Sequence, residues 1–211
     1  MVNAGQKAGA GAAARLPAMN SPPSPALDAL LARRSTPSRL LTGPGPDDAQ
    51  LASMLQAAVH VPDHGKLTPW RFLRIRGDAR ARLGELLVTR QRERDPATPE
   101  AVTDKDRERF NFAPVVIAVI ARITPGHKIP EQEQLLSAGC VCFSLLQAAQ
   151  ALGFGAQWLT GWAAYDAFIG QHLGLTTDER IVGFVHIGTA REAAPERPRP
   201  DPMTLLSDWA G

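Results

Sequence analysis

The sequence is short of several things, and each shortage narrows the reading. Only two of its 211 residues are cysteine, Cys140 and Cys142. They lie two apart in a helical pattern, so they point to different faces and cannot bridge each other. They read as reduced core residues of a cytoplasmic protein, the usual fate of free cysteine. Charge of one sign is also scarce: 23 Lys and Arg against 21 Asp and Glu leave a net charge of +2. Nucleic-acid and membrane-surface proteins concentrate a basic face that this balance does not supply. No apolar run approaches the roughly 18 residues of a membrane span. The purest run, Val115 to Ile120, has the length of a strand. The chain has no G-x-S-x-G, no P-loop and no H-E-x-x-H, and no Ser-His-Asp set stands out. No internal repeat is visible.

What is present is average globular material, 44% hydrophobic and 21% charged. The length suits one domain with a substantial core. The first 25 residues are rich in Ala, Gly, Pro and Ser and read as a disordered leader. They lack the apolar core of a signal peptide, and Met19 is an internal candidate for the start. Residues 26–211 then form a single domain.

Pro25 to Arg33 predicts a short helix with Leu27, Leu30 and Leu31 on one face. Asp47-Asp48 opens a second helix that Pro62 ends. The stretch from Pro62 to Pro69 reads as a polar loop. Trp70 to Arg76 alternates like a strand, and its arginines suit an edge. Ala79 to Arg92 predicts an amphipathic helix, and the charged, proline-containing stretch Asp95 to Asp106 a flexible loop or lid. Ala113 to Ile123 predicts a fully buried strand. Gln132 to Leu152 predicts the longest helix, apolar nearly all round and so covered on most sides, with a partner subunit as a natural cover. Gly153-Phe154-Gly155 follows a helix rather than a strand, so it reads as a C-cap and not as a dinucleotide fingerprint. Gln157 to Thr160 and Ile181 to Ile187 read as strands, with a helix from Tyr165 to Leu173 between them. The tail from Arg191 is proline-rich and reads as extended over the surface or a neighbour. Helices and strands intermix without regular alternation, which predicts α+β with a central mixed sheet flanked by helices.

Three polar clusters fall on loops or element ends. Arg33-Arg34-Ser35 offers two guanidinium forks and a hydroxyl, a donor set that matches a phosphate monoester. Its plainer reading is a solvated helix end complementing the dipole. His60, His64 and Lys66 add further donors. His60 and His64 are four apart, but Pro62 breaks the helix that would align them on a metal. Trp158-Leu159-Thr160 offers an aromatic edge, backbone amides and a hydroxyl, although core packing is the plainer role for Trp158. His186, in an apolar strand, reads as a satisfied core residue. The three clusters together suit a phosphorylated heteroaromatic ligand.

In order and spacing these elements resemble the FMN-dependent nitroreductase family, in its short single-domain branch. The residues that carry the likeness are Arg33-Arg34-Ser35, Pro62-Asp63-His64 running into Pro69-Trp70, Gly153-Phe154-Gly155, Trp158, and Ile181-Val182-Gly183-Phe184 leading to Gly188-Thr189. The resemblance covers about Ala26 to Pro202. It implies an intertwined homodimer with FMN at the subunit interface and NAD(P)H as electron donor. It assigns Arg33, Arg34 and Ser35 to the FMN phosphate and ribityl chain. His60 and His64 become loop contacts, Lys66 or His64 the expected positive charge near the pyrimidine edge of the flavin, and Trp158, Leu159 and Thr160 strand contacts. It places a nucleotide-binding stretch at Ala148, Ala149, Gln150, Ala151, Leu152 and Gly153. No side chain is expected as a general acid, no metal, nucleic acid or membrane is expected, and the acceptor is a small molecule such as a nitroaromatic or quinone. Lys66 and Thr68 stand where many members have Asn and Gln, and no Arg follows Trp158. Arg191, Arg197 and Arg199 are equal candidates for a further phosphate ligand. A flavin-binding module without turnover, or flavin-fragmenting or dehalogenating chemistry, are the alternatives on the same fold.

Overall fold

The computed structural model describes residues 24–211, so the expected leader lies outside the described residues except for Ser24 and Pro25, which open the first helix. In chain order the elements are α1 (Pro25–Ala32), β1 (Leu41–Thr42), α2 (Asp48–Ala58), β2 (Trp70–Arg76), α3 (Asp78–Arg94), α4 (Glu100–Glu108), β3 (Val115–Arg122), α5 (Glu131–Ala151), β4 (Gly155–Leu159), α6 (Ala167–His172) and β5 (Glu179–Ala190). Short 3-10 turns at Ser38–Leu40, His64–Lys66, Trp162–Ala164 and Pro202–Leu205 punctuate them. The fold is α+β, as the sequence predicts.

The strand order is β1-β5-β3-β2, with β4 also paired to β5. Every strand pairing among the described residues is antiparallel, where the sequence predicts a mixed sheet. The β2-to-β3 connection shows why. It holds two helices, α3 and α4, folded on each other as a hairpin. Two helices return the chain to the end of the sheet it left, whereas a parallel neighbour needs a single crossover. The sequence also reads Asp95–Asp106 as a loop, but α4 occupies much of it. Its Thr103 and Asp106 are buried, with Asp106 accepting from Arg109 Nη2 at 2.8 Å and Trp162 Nε1 at 3.1 Å. Polar side chains satisfied by partners distant in sequence look like loop residues in a local pattern. Gly84 lets the two helices close: a Cβ there would overlap the Arg107 carbonyl.

β3 is central and buried along nearly its whole length, and its alternation separates two cores. Ile117, Val119 and Ala121 join Leu51, Met54, Val141, Leu145 and Val185 beneath α2 and α5. Val116 and Ala118 join Leu83, Leu87, Phe110, Ile169 and Phe184 beneath α3 and α6. β2 is the sheet edge that its arginines predict. Asp47 and Gln50 form a reciprocal capping box that starts α2. α5 ends in a Schellman motif: Phe154 N donates to Ala149 O, Gly153 N donates to Gln150 O, and Gly153 has φ +81°.

α5 is 21 residues, about 30 Å long. By length and composition alone it could cross a membrane, although here one face is packed on the sheet. Its other face, with Leu136 60% exposed and Phe143 43% exposed, is left uncovered by the described residues. Leu30 and Leu31 of α1 are likewise exposed, as are Met203, Leu205, Leu206 and Trp209 of the tail. Cys142 is buried, and burial pushes its thiol up to about 12. Cys140 lies on the uncovered face of α5. The expectation that both cysteines are core residues therefore holds for one of them, because positions two apart on a helix diverge by more than half a turn.

Candidate cofactor site

Arg33, Arg34 and Ser35 follow the end of α1, and three contacts fix where they lie. The Arg34 backbone N–H donates to Gln150 Oε1 at 3.0 Å, which ties the segment to the C-terminal turn of α5. Two residues on, Thr36 N donates to Ala156 O at 3.0 Å, which starts the chain alongside β4. Ser38 N donates to Gln157 Oε1 at 2.6 Å and extends that path. The close approach requires Gly155, whose Cβ would lie 2.9 Å from Thr36 Oγ1 and 2.8 Å from Leu41.

The guanidiniums are partly buried. Arg33 Nη1 donates to Ser35 Oγ at 3.2 Å. Arg34 Nε donates to the Glu196 carboxylate at 3.0 and 3.1 Å, and its Nη1 donates to Leu31 O at 2.8 Å. Burial, with Arg199, Arg34 and Arg197 close by, lowers the pKa of Arg33 below the ordinary arginine value. The tail thus returns two arginines to the cluster. Arg191 is engaged elsewhere, donating to Arg39 O. Among the three tail arginines that the sequence leaves equal, the surroundings favour Arg197 and Arg199. Like charges gathered in this way repel unless an anion joins them, and planar donor forks match a phosphate. The donor set fits a phosphate monoester.

Trp158 and Leu159 end β4, and Thr160 follows it. Thr160 is about 13 Å along the strand from the Ala156 contact. Trp158 Nε1 donates to Val182 O at 3.2 Å, and the indole lies over Gly183. Trp158 also lines a groove of about 860 Å³ with Leu135, Leu136, Gly139, Tyr165 and Arg180. The first and third clusters therefore share β4, while the groove beside Trp158 runs along the N-terminal half of α5.

The second cluster lies at that same half of α5, away from the arginines. His60 is exposed just beyond α2, and the loop that follows is fastened to the N-terminal half of α5. Ser137 Oγ donates to Pro62 O. His64 Nδ1 lies 2.8 Å from Glu133 Oε2. From Glu133 to Gln150 along α5 is about 25 Å. His64 and Lys66 thus lie at the opposite end of α5 from Arg33, Arg34 and Ser35.

Residues 30–189 match the Nitroreductase family. The chain belongs to the nitroreductase family. It is 35% identical over 183 residues to "Putative NAD(P)H nitroreductase YdjA" of Escherichia coli (strain K12), covering 86% of this chain and 98% of that one. Among solved structures, the nitroreductase-like family protein from Bacillus cereus has the same fold, with a TM-score of 0.75 and 24% identity over 92% of this chain and all of that one. So does the FMN-dependent nitroreductase NfnB from Mycobacterium smegmatis in complex with NADPH, with a TM-score of 0.69 and 18% identity over 88% and 98% of the two chains.

Within this nitroreductase-family chain, the stretch Ala148–Gly153 is half covered: Ala148 and Ala149 are buried and Gln150 Oε1 accepts from Arg34 N, while Ala151, Leu152 and Gly153 are exposed. His186 differs from expectation. It is buried and stacked on Phe110 at 5.6 Å, yet neither ring nitrogen has a hydrogen-bond partner among the described residues. Burial, helped by Arg109, pushes its pKa down to about 4. It is a core residue, held neutral and unsatisfied. Asp63, which the sequence marks only as part of the Pro62-Asp63-His64 motif and without a role of its own, organises the loop through its carboxylate: Oδ1 accepts from Leu67 N at 3.1 Å and Oδ2 from Thr68 N at 2.8 Å. An Asp followed by His-Gly is the available signal, since Asp side chains close turns on amides further along.

Proposed function

We propose that this chain is an FMN-dependent NAD(P)H oxidoreductase that acts as a homodimer. The observation that carries the reading is the cluster of Arg33, Arg34, Arg197 and Arg199 beside β4. Arg33 would grip the phosphate through its guanidinium fork, and Arg34 through Nη2, the nitrogen that Glu196 and Leu31 O leave available, with Ser35 as a neutral donor. Trp158, Leu159 and Thr160 would flank the ring system further along the strand. The names of the relatives support the cofactor and the donor: NfnB is described as FMN-dependent and in complex with NADPH, and the Escherichia coli relative as an NAD(P)H nitroreductase.

The span of α5 supports the dimer. His60, His64 and Lys66 lie at the far end of that helix, about 25 Å from the turn that holds their own Arg33 and Arg34, a separation that favours a loop contributed by a partner. A two-fold pairing with the α5 helices running oppositely would bring the loop of one protomer to the arginines of its partner. The uncovered apolar faces of α1, α5 and the tail would be buried by the same pairing. In that arrangement Lys66 or His64 would supply positive charge or donors at the polar edge of the ring system.

The chemistry that bound FMN supplies is hydride acceptance at N5 from NAD(P)H and delivery to a nitroaromatic, quinone or similar acceptor, the two substrates alternating at one site. The protein's share is to hold, orient and polarise, and solvent can supply the protons. The test is an absorption spectrum of the purified protein, before and after anaerobic NADH or NADPH, with its mass in solution. A yellow dimer that bleaches on addition of either donor is expected. A colourless protein that takes up no added FMN removes the cofactor reading. A flavin that neither donor bleaches leaves a binding module without turnover.

A further inference from the structure

The loop from Pro62 to Pro69 is held in a backbone shape that its own residues disfavour. Gly65, Lys66 and Thr68 all have positive φ, at +71°, +55° and +49°. Glycine adopts this region freely, lysine seldom, and a β-branched threonine rarely. Such strain persists only where the surroundings over-determine it. Here Asp63 does so from within. Its two carboxylate oxygens accept from the amides of Leu67 and Thr68, and its carbonyl accepts from Lys66 N at 3.1 Å. Meanwhile Lys66 and Thr68 are exposed, and neither side chain makes a hydrogen bond or ion pair among the described residues. A turn needed only to connect α2 to β2 would sit more easily with Gly or Asn at these positions. The shape is kept, and the side chains it aims are free.

We infer that Asp63 is a positioning residue, holding Lys66 and Thr68 in left-handed backbone so that the loop meets the flavin already shaped. The inference rests on the FMN reading above. Preorganisation of this kind lowers the ordering that binding would otherwise require. Asp63 touches no ligand itself; it acts through the amides of Leu67 and Thr68.

The test compares the full-length wild type, Asp63→Ala, and Asp63→Ala combined with Thr68→Gly. Three quantities are measured on each: hydrogen exchange of the Leu67 and Thr68 amides, the FMN dissociation constant by flavin fluorescence, and the midpoint potential of the bound flavin. Asp63→Ala should speed exchange at both amides, weaken FMN binding about tenfold and make the potential more negative as the Lys66 charge loosens. Adding Thr68→Gly should restore part of the affinity, because glycine takes the left-handed shape without steric strain, though it loses more freedom when the loop is ordered. That rescue is not expected if Asp63 matters only as a charge. Faster exchange with unchanged affinity and potential overturns the positioning role and leaves the FMN reading intact. Unchanged exchange overturns the clamp itself. A wild type that binds no FMN removes the cofactor reading, and the inference with it. If Asp63→Ala does not fold, Asp63→Asn keeps one acceptor oxygen and should lose protection at one amide with a smaller drop in affinity; wild-type values there also overturn the proposal.

Discussion

The indole of Trp158 lies over Gly183 of the neighbouring strand, where any side chain would overlap the indole nitrogen. The indole donates to Val182 O beside it. A glycine within a buried strand normally weakens the strand. Here its missing side chain is the seat of an aromatic ring at the mouth of the groove.

Gly183→Ala should therefore unseat Trp158. We expect a loss of about 1–3 kcal/mol, the usual range for overpacking, measured by urea unfolding, with a red-shifted tryptophan emission. In a Trp158→Ala background the same Gly183→Ala change should cost far less. Equal cost in both backgrounds would show that the two residues are not coupled.

Arg33→Ala with Arg34→Ala should yield a folded protein poor in flavin. The pairs these residues make are partly exposed, so stability should change by no more than about 1 kcal/mol. Loss of charged phosphate contacts should weaken FMN by roughly one to two orders of magnitude per arginine. The preference for FMN over riboflavin should fall with it. Arg197→Ala and Arg199→Ala should act in the same direction, whereas Arg191→Ala should not, since Arg191 is engaged with Arg39 O. Flavin titration of the five proteins checks the order.

Gly84→Ala should separate α3 from α4, because the new Cβ meets the Arg107 carbonyl rather than a side chain that could move. A loss of about 1–3 kcal/mol is expected, seen as a melting point lowered by several degrees. Gly84 is far along the chain fold from the arginine cluster, so FMN affinity at permissive temperature should stay at the wild-type value.

His186 should make stability depend on pH. Its folded pKa of about 4 lies below the ordinary 6.5. Between those values the unfolded chain binds a proton that the folded chain does not, so stability rises with pH across the window and levels off above it. By pH 4 the loss should be on the order of 3 kcal/mol. Urea midpoints from pH 4 to pH 8 for the wild type and His186→Leu check this, and the variant should lose that part of the slope.

Much of the fold was legible. The alternation of β2, the β-branched run of β3, the length of α5 and the glycine that ends it are written in local pattern, because helix and strand periods act over a few residues. α4 was not legible. Its buried Asp106 is satisfied by Trp162, far off in sequence, and a polar residue met alone reads as loop. The solitude of His186 was hidden for the same reason, since an apolar strand does not reveal whether a ring nitrogen will find a partner.

The sequence by itself determined the donor types: paired arginines, a histidine and lysine loop, a tryptophan strand, and from their order the family. Only the tertiary structure decided their grouping. Long-range pairings, Thr36 with Ala156 and Ser137 with Pro62, set the arginines beside β4 and the loop at the far end of α5. A helix is rigid and rises a fixed distance per residue, so its length becomes the separation between the two halves of the site.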